Sequence, residues 1–296
     1  MKKILLIGKS GQLGSQIVKD AASFNFDVAS FGREVLDVTN ETQIKQTVYA
    51  VKPDILINTS AYHVVPKCEE NPAMAMAVNF MAVRNLARIC KQENIVFVTY
   101  STDYVFDGEK DAAYEEDDQP NPLQIYGLSK LAGEDAALSV YPTGSLVIRT
   151  CGVYGGEKGS PDRNGNFVLN IIKEAQGRAN IEVSCEQIVI PTYAGDLSHA
   201  TLKLLKQNVM PGRYHLVNEG HCSWSEFAVE IFKRAGVDAE VMPVDRGCMS
   251  GKMKRPRFSV LKNTKAKALG IELPSWQDGL DSYFKFLNEC KNESKN

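Results

Sequence analysis

The sequence predicts an α/β fold in which a doubly wound parallel β-sheet is joined to a smaller α/β lobe in the C-terminal half. Short, fully apolar runs recur along the first 150 residues, helix-like segments separate them, and a glycine-rich turn follows the first run. Strands that are apolar throughout are typical of parallel sheets covered by helices on both faces. Right-handed crossovers between such strands produce the doubly wound arrangement.

The predicted elements alternate regularly. The strands are expected at Ile4–Ile7, Asp27–Phe31, Asp54–Asn58, Ile95–Ser101 and Ser145–Thr150. The intervening helices are expected at about 14–24, at 41–51, at 74–92 and from near residue 126 onward, because apolar residues recur there with helical spacing.

A glycine motif lies at the first strand–helix junction. Gly8, Gly11 and Gly14 follow the spacing G-x-x-G-x-x-G. One glycine permits the tight turn, one lets the backbone approach a pyrophosphate, and one lets the helix pack on the strand. The helix N-terminus then presents free N–H groups to the phosphate charge. The motif predicts a Rossmann-like dinucleotide site that also includes Gln12 and Leu13.

The residues after the second strand indicate which dinucleotide is bound. An acidic residue there would accept hydrogen bonds from the adenosine ribose of NAD. The strand instead ends at Gly32 and Arg33, and a guanidinium pairs well with the 2′-phosphate of NADP. We therefore expect NADP(H), with NAD(H) as the alternative, and we place Asp37 and Val38 near the adenine.

Two further strand ends border the expected path of the cofactor. Ser60, Ala61 and Tyr62 follow the third strand, and Tyr100 lies near the end of the fourth. Ligands of open α/β sheets bind outside the carboxyl ends of the strands. All four residues are therefore predicted to line the dinucleotide cleft.

A Tyr–Lys pair marks the expected catalytic centre. Tyr126 and Lys130 are one helical turn apart and share a helix face. A phenol normally titrates near pH 10, and a neighbouring ammonium lowers its pKa towards neutrality. Lys130 would also bind the nicotinamide ribose, and both residues would contact the cofactor. Thr102, at the end of the fourth strand, would hold a substrate carbonyl oxygen beside the Tyr126 proton.

Composition narrows the functional class. The formal net charge is −2, which gives no field for nucleic acid or an acidic membrane. No apolar run reaches 18 residues, so no membrane span is expected. Seven scattered cysteines without a C-x-x-C motif are typical of a reducing cytoplasm. We expect a cytoplasmic protein that acts on a small molecule.

The pattern changes after residue 150. A polar, glycine-rich loop covers 155–166, a late strand is expected at 212–218, and Ser223 with Glu226 forms a capping-box pattern. We assign 1–150, with returning segments near 188–218, to an NAD(P)-binding domain. Residues 151–187 and 219–296 are assigned mainly to a substrate-binding lobe.

The motifs together resemble a known family. GKSGQLGSQ, YSTDYVFDG, IYGLSKLAGE and VIRTCGVYG are similar to those of extended short-chain dehydrogenases/reductases, and within them to the dTDP-4-dehydrorhamnose reductase family. The resemblance covers nearly the whole chain. It implies reduction of the C4 ketone of a nucleotide-linked deoxysugar, most directly dTDP-4-dehydro-L-rhamnose to dTDP-L-rhamnose. It also implies that Tyr126 donates the proton, Lys130 assists it, and Thr102 and Asp103 contact the substrate.

The chain departs from the family pattern on the substrate side. Cys151 and Gly152 replace a Ser-Trp pair whose indole packs on the sugar, and Pro66 replaces an aspartate. We still place Gly152 at the substrate, and Arg255 at its diphosphate, which a guanidinium binds well. Some members form dimers around Mg²⁺ held by glutamates. Gln16 stands at one such position, so no metal is expected, while a homodimer stays open.

Two alternative functions stay open at this point. One is a non-catalytic NADP-binding regulatory subunit like that of methionine adenosyltransferase, because the altered positions 66, 151 and 152 affect the pocket. The other is a nucleotide-sugar epimerase, although epimerases typically have an acid after the second strand. A dehydratase is disfavoured because Tyr104, not Glu, follows Asp103.

Overall fold

The structure, a computed structural model, describes residues 1–247, 249–250 and 253–293. The strands are β1 Lys2–Ile7, β2 Phe26–Phe31, β3 Ile55–Asn58, β4 Val96–Thr102, β5 Ser145–Thr150, β6 Val153–Tyr154, β7 Asn180–Ser184, β8 Ile188–Val189, β9 Thr192–Tyr193, β10 Gly212–His215, β11 Cys222–Ser223, β12 Glu240–Val244, β13 Met249–Ser250 and β14 Met253–Lys254. The helices are α1 Gln12–Asp20, α2 Glu41–Val51, α3 Val65–Glu70, α4 Pro72–Met76, α5 Ala82–Glu93, α6 Ile125–Val140, α7 Phe167–Glu174, α8 Ala194–Lys206, α9 Trp224–Ala235, α10 Thr264–Ala268 and α11 Trp276–Glu293.

The centre of the fold is a six-stranded parallel sheet in the order β10-β5-β4-β3-β1-β2. The predicted doubly wound α/β fold is confirmed. The late strand expected at 212–218 is shorter: β10 ends at His215. The Leu216 N–H still donates to the Arg149 carbonyl at 3.0 Å, and the chain then leaves the sheet.

Alternate side chains of each strand are buried on opposite faces of the sheet. Ile4 and Leu6 of β1 belong to a core cluster that includes residues of α1 and α8. Leu5 and Ile7 belong to a second cluster with residues of α2, α5 and α6. Because helices cover both faces, most positions of the central strands are buried and apolar, which explains the continuous runs in the sequence.

The strand order reverses beside β1, which pairs with β2 on one side and β3 on the other. The chain runs outward from β1 to β2 and then crosses back to β3. Two neighbouring connections therefore leave the sheet in opposite directions and open a crevice at the carboxyl ends of β1 and β3. Ligands of doubly wound sheets bind in such a crevice.

The single helix predicted at 74–92 is interrupted. A π-helical turn at Ala77–Met81 separates α4 from α5. The turn places Asn79 in the interior, where it is 1% exposed. Sequence periodicity missed the break because the extra residue of a π-turn changes the register only once. Such turns are frequent at functional sites, and this one lies against α6.

A third core cluster lies in the C-terminal half, between α7, α9, α11 and the parallel pair β7–β12. The capping box at the start of α9 is confirmed: the Ser223 N–H donates to the Glu226 carboxylate at 2.7 Å, and the Glu226 N–H donates to the Ser223 hydroxyl at 3.1 Å. None of the helices described is long and apolar enough to cross a membrane.

A buried ion pair joins the sheet to α6. Arg149 of β5 and Glu134 of α6 are each 1% exposed and lie 2.7 Å apart. Arg149 donates a second bond to the same carboxylate through Nε at 2.9 Å, and Arg213 of β10 donates to it at 3.0 Å. The carboxylate thereby connects β5, β10 and α6.

Replacing Glu134 with Ala should lower the free energy of unfolding by ~3–5 kcal/mol, because Arg149 would stay buried without its partner. Urea unfolding of the cofactor-free protein measures this value. Glu182→Ala is the matched control, since it removes the exposed Arg246–Glu182 pair and should cost at most about 1 kcal/mol. Equal losses in the two variants would contradict the structural role assigned to the buried pair.

Candidate active site

The glycine turn has the backbone geometry that its sequence predicts. Gly8 has φ of 95°, and a Cβ there would lie 2.6 Å from Thr59 Oγ1. A Cβ on Gly14 would overlap the Gly8 carbonyl, so α1 packs directly on the turn. Gly11 begins α1 with extended φ and ψ, and no side chain caps this helix N-terminus. The N–H groups at the start of α1 are thus available to an anion.

The polar loop that follows β6 folds over this turn. The side-chain amide of Gln12 makes two hydrogen bonds to the backbone at the start of this loop. Its Nε2 donates to the Val153 carbonyl at 3.3 Å, and its Oε1 accepts from the Gly155 N–H at 3.0 Å. Leu13 packs against the first core cluster. On the far side of the crevice, His63 Nε2 and the Ser160 hydroxyl are 3.2 Å apart. The loop thus spans the cleft between the ends of β1 and β3.

The segment after β2 carries charges of both signs. Arg33 is exposed at the strand end, as the sequence placed it. The Glu34 carboxylate packs against Gly32 and lies 3.6 Å from the Lys9 ammonium. An acidic group is therefore present at this strand end, where the sequence analysis expected none. Sequence reasoning overlooked it because Glu34 lies two residues beyond Gly32 and reaches it only through the turn.

Asp37 and Val38 complete the predicted adenine side. The Asp37 carboxylate accepts hydrogen bonds from the Thr39 N–H at 2.9 Å and from its hydroxyl at 2.8 Å, and these bonds lower the pKa of the Asp37 carboxyl. Val38 packs against the second core cluster beside α2. Both residues follow the β2 turn that contains Arg33.

The loop after β3 is fixed from beneath by Asn79. Its Oδ1 accepts from the Tyr62 N–H at 2.9 Å, and its Nδ2 donates to the Tyr62 carbonyl at 2.9 Å and to the Ser129 hydroxyl of α6 at 3.0 Å. Ser60 donates to Asn58 Oδ1, and Ala61 lies between the two anchored residues. The side chain of Asn79 thereby ties the predicted cofactor-lining loop to the helix that carries Tyr126.

Tyr100 differs from the other residues predicted to bind the cofactor, because its side chain points into the core of the protein. The ring lies in the first core cluster, and its hydroxyl donates to Thr201 of α8 at 2.9 Å. Burial raises the pKa of this phenol. Tyr100 also borders the small space lined by Asn79 and Lys130.

The first turn of α6 is anchored by two side chains. The Ile125 N–H donates to the Glu69 carboxylate at 2.7 Å, and the Gly127 N–H donates to Gln124 Oε1 at 3.2 Å. Tyr126, between them, is half-buried with its ring edge-on to Tyr104, the centroids being 6.1 Å apart. The phenol therefore lies directly beside the segment that leaves β4.

Lys130 lies one turn further along α6 and is 5% exposed. Burial lowers its pKa to about 8, and the negative charge of Glu134 opposes part of that shift. The ammonium is therefore largely protonated at neutral pH but holds its proton less firmly than a surface lysine. A cation of this kind stabilises a phenolate nearby.

Thr102 and Asp103 form a hydrogen-bonded unit at the end of β4. The Thr102 hydroxyl donates to Asp103 Oδ1 at 3.0 Å and accepts from the Tyr104 N–H at 3.2 Å. The Ser259 hydroxyl donates to Asp103 Oδ2 at 2.6 Å. Asp103 is 3% exposed. Sequence reasoning did not find Ser259, which is 156 residues away in the chain.

The other substrate-side predictions lie on segments that pack next to this unit. Gly152 has φ of 55°, and a Cβ there would lie 2.7 Å from the Ile190 carbonyl oxygen. Arg255 is half-buried, and its Nε has no hydrogen-bond partner within the described chain. The same is true of Asn58 Nδ2 at the end of β3. Unsatisfied buried donors of this kind fit a site that binds a polar ligand.

Comparison with known proteins identifies the family. A family model described as RmlD substrate binding domain matches residues 1–289. The chain belongs to the RmlD family. The RmlD match extends across the glycine turn, the Tyr126 helix and the C-terminal elements up to α11.

Individual RmlD relatives match over nearly their full lengths. A dTDP-4-dehydrorhamnose reductase of Streptomyces griseus is 34% identical over 289 residues, which cover 96% of this chain and 93% of that protein. The spore coat polysaccharide biosynthesis protein SpsK of Bacillus subtilis is 32% identical over 285 residues, covering 96% and 98% respectively. The crystal structure of dTDP-4-dehydrorhamnose reductase from Bacillus anthracis in complex with NADP matches with a TM-score of 0.89 and 33% identity, covering 96% of this chain and 98% of that one.

Two glycine substitutions should distinguish a glycine needed for cofactor binding from one needed for packing of the fold. Gly11→Ala should leave the midpoint of thermal unfolding nearly unchanged, because its Cβ meets only the Gly8 carbonyl oxygen at 3.4 Å. It should weaken NADPH binding about tenfold or more, since the methyl group would occupy the space of the pyrophosphate. Gly14→Ala should instead lower the unfolding midpoint, because its Cβ overlaps Gly8. Fluorescence titration with NADPH and a thermal melt measure both. Unchanged NADPH affinity in Gly11→Ala would contradict the predicted pyrophosphate site.

Proposed function

We propose that this chain is an NADPH-dependent reductase of the C4 ketone of a nucleotide-linked deoxysugar, most directly dTDP-4-dehydro-L-rhamnose. The observation that carries the proposal is the buried Lys130 ammonium, one turn from the half-buried Tyr126 phenol, at the strand end that bears Thr102. The name and the NADP complex of the RmlD-family relatives support the same reaction. A net charge of −2 and scattered cysteines without a C-x-x-C motif would suit the cytoplasm.

The cofactor would be held by the residues around the β1–β3 crevice. The uncapped start of α1 at Gly11 would bind the pyrophosphate. Arg33 would pair with the 2′-phosphate, and the loop at 60–62 would lie along the nicotinamide half. NADH would lack the phosphate contact but keep the rest, so it is the weaker alternative. When bound, reduced nicotinamide supplies a hydride to the ketone carbon.

The residues of this chain handle the proton. The Tyr126 hydroxyl donates its proton to the carbonyl oxygen as the C4 ketone is reduced to an alcohol. Lys130 stabilises the phenolate that remains. Thr102 holds the carbonyl oxygen in line with the phenol. Arg255, whose Nε is buried without a partner in the described chain, would bind the diphosphate of the nucleotide.

Removing the Tyr126 hydroxyl should abolish the proton transfer without affecting the fold. Tyr126→Phe should lower kcat at least 100-fold, because general acid catalysis contributes about 10²–10⁴-fold. NADPH affinity should change little. NADPH oxidation is followed by absorbance with a panel of nucleotide 4-ketosugars, dTDP-4-dehydro-L-rhamnose among them.

Tyr49→Phe is the matched control, since Tyr49 is exposed on α2 at the opposite end of the sheet. It should retain wild-type kcat. Wild-type turnover in Tyr126→Phe would contradict the role of the phenol. A protein that binds NADPH, turns over no sugar and co-purifies with a stoichiometric partner would favour a regulatory subunit instead.

Cofactor preference should depend on Arg33. Arg33→Ala should weaken NADPH binding about tenfold, the effect of losing one charge-assisted hydrogen bond, and should leave NADH binding unchanged. Arg84→Ala, which removes an exposed arginine of α5, is the control. Dissociation constants for both cofactors come from fluorescence titration. If Arg33→Ala weakened both cofactors equally, Arg33 would not read the 2′-phosphate.

A further inference from the structure

The Thr102 hydroxyl has a single proton, and the contacts of its oxygen limit where that proton can be donated. A hydroxyl donates one hydrogen bond and accepts two. Thr102 Oγ1 accepts from the Tyr104 N–H at 3.2 Å and donates to Asp103 Oδ1 at 3.0 Å. With an ionised Asp103, the hydroxyl has no proton left for a substrate carbonyl oxygen.

The carboxyl group of Asp103 lies in an enclosed position. It is 3% exposed, and its second oxygen accepts from the Ser259 hydroxyl at 2.6 Å. The thiol of Cys151, directly after β5, also hydrogen-bonds to it. Within the described chain no cation forms an ion pair with this carboxyl group. Its hydrogen-bond partners are two hydroxyls, its own backbone N–H and a thiol whose pKa is raised by burial.

We propose that Asp103 acts as a positioning residue whose neutral form makes Thr102 a hydrogen-bond donor to the substrate ketone, an inference that rests on the proposed reductase function. A neutral carboxyl donates its own proton from Oδ1 to Thr102 Oγ1. Thr102 then accepts from Asp103 and from Tyr104, and its own O–H points to the carbonyl oxygen. Each proton then has one acceptor: the Asp103 proton bonds to Thr102, and the Thr102 proton bonds to the carbonyl oxygen. Asp103 keeps its proton throughout the reaction.

Burial favours this neutral form. Desolvation raises the pKa of Asp103, and the hydrogen bonds from Ser259, Cys151 and Thr102 oppose the shift without cancelling it. A carboxyl group with a raised pKa is neutral below that value and ionises as the pH rises through it. After ionisation the Thr102 hydroxyl donates to the carboxylate instead of the ketone. The rate of ketone reduction should therefore fall as the pH rises through the pKa of Asp103, in addition to any loss caused by ionisation of Tyr126.

The test compares pH profiles of kcat/KM between pH 5 and 9 for the wild type, Asp103→Asn and Ser259→Ala. The asparagine amide cannot ionise and can donate to Thr102 at every pH, so this variant should stay active and lose one descending limb. In the wild type a single ionisation lowers kcat/KM about tenfold per pH unit. Ser259→Ala removes a bond that favours the charged form, so its limb should move to higher pH.

Asp20→Asn is the matched control. Asp20 is a buried acid of α1 that accepts from Gln16 at 3.0 Å, away from the site, and its replacement should leave the wild-type profile unchanged. NADPH titration and thermal melts verify that each variant folds. An Asp103→Asn profile that matches the wild type, or an Asp103→Asn variant that is inactive at every pH, would overturn the proposal.

A second measurement does not depend on turnover. Carbon-13 NMR of protein labelled at the aspartate carboxyl carbons gives the pKa of Asp103, assigned from the signal missing in Asp103→Asn. An Asp103 that is still neutral at the pH of maximal kcat/KM in the NADP-bound protein supports the proposal, and one that is already ionised at that pH overturns it. If the wild type reduces no 4-ketosugar, the proposed function fails, while the carboxyl titration still decides the protonation state.

Discussion

The close packing of α6 against its neighbours is the constraint on which the site depends. A Cβ on Gly127 would overlap the Tyr104 carbonyl, and one on Gly133 would overlap the carbonyl of Asn79. Because these two positions lack a Cβ, the helix can approach the end of β4 and the π-helical turn at backbone distance. Tyr126 directly precedes Gly127, and Lys130 lies between the two glycines along the helix. Their positions relative to the crevice are set by backbone packing, which is stiffer than side-chain contact.

The electrostatics of the site follow from the same packing. Burying the Lys130 ammonium is unfavourable, which is why its pKa falls to about 8. Glu134, one turn further along α6, opposes that cost and is itself held by Arg149 and Arg213. Charges alternate from the cleft into the core and out to β10. The core pair therefore stabilises the fold, and its carboxylate also favours the protonated form of Lys130.

The proposed substrate side is assembled from segments far apart in the chain. Asp103 follows β4, Cys151 and Gly152 follow β5, and Ser259 comes from the segment that pairs with Ile188. At Gly152 the left-handed backbone and the nearby Ile190 carbonyl leave no space for a side chain. A bulky residue at this position would require a different local backbone, so the shape of the proposed substrate site here depends on several loops together.

The sequence alone determined the parts of this protein that depend on local chemistry. The apolar runs gave the strands, the glycine spacing gave the dinucleotide turn, and the pair at 126 and 130 gave a shared helix face, because each signal lies within a few residues. Only the tertiary structure decided that Asn79 interrupts a predicted helix to hold Tyr62, that Glu34 returns to Gly32, and that Ser259 reaches Asp103. These contacts depend on how separate elements pack, and a hydrogen bond across 156 residues leaves no periodicity in the sequence.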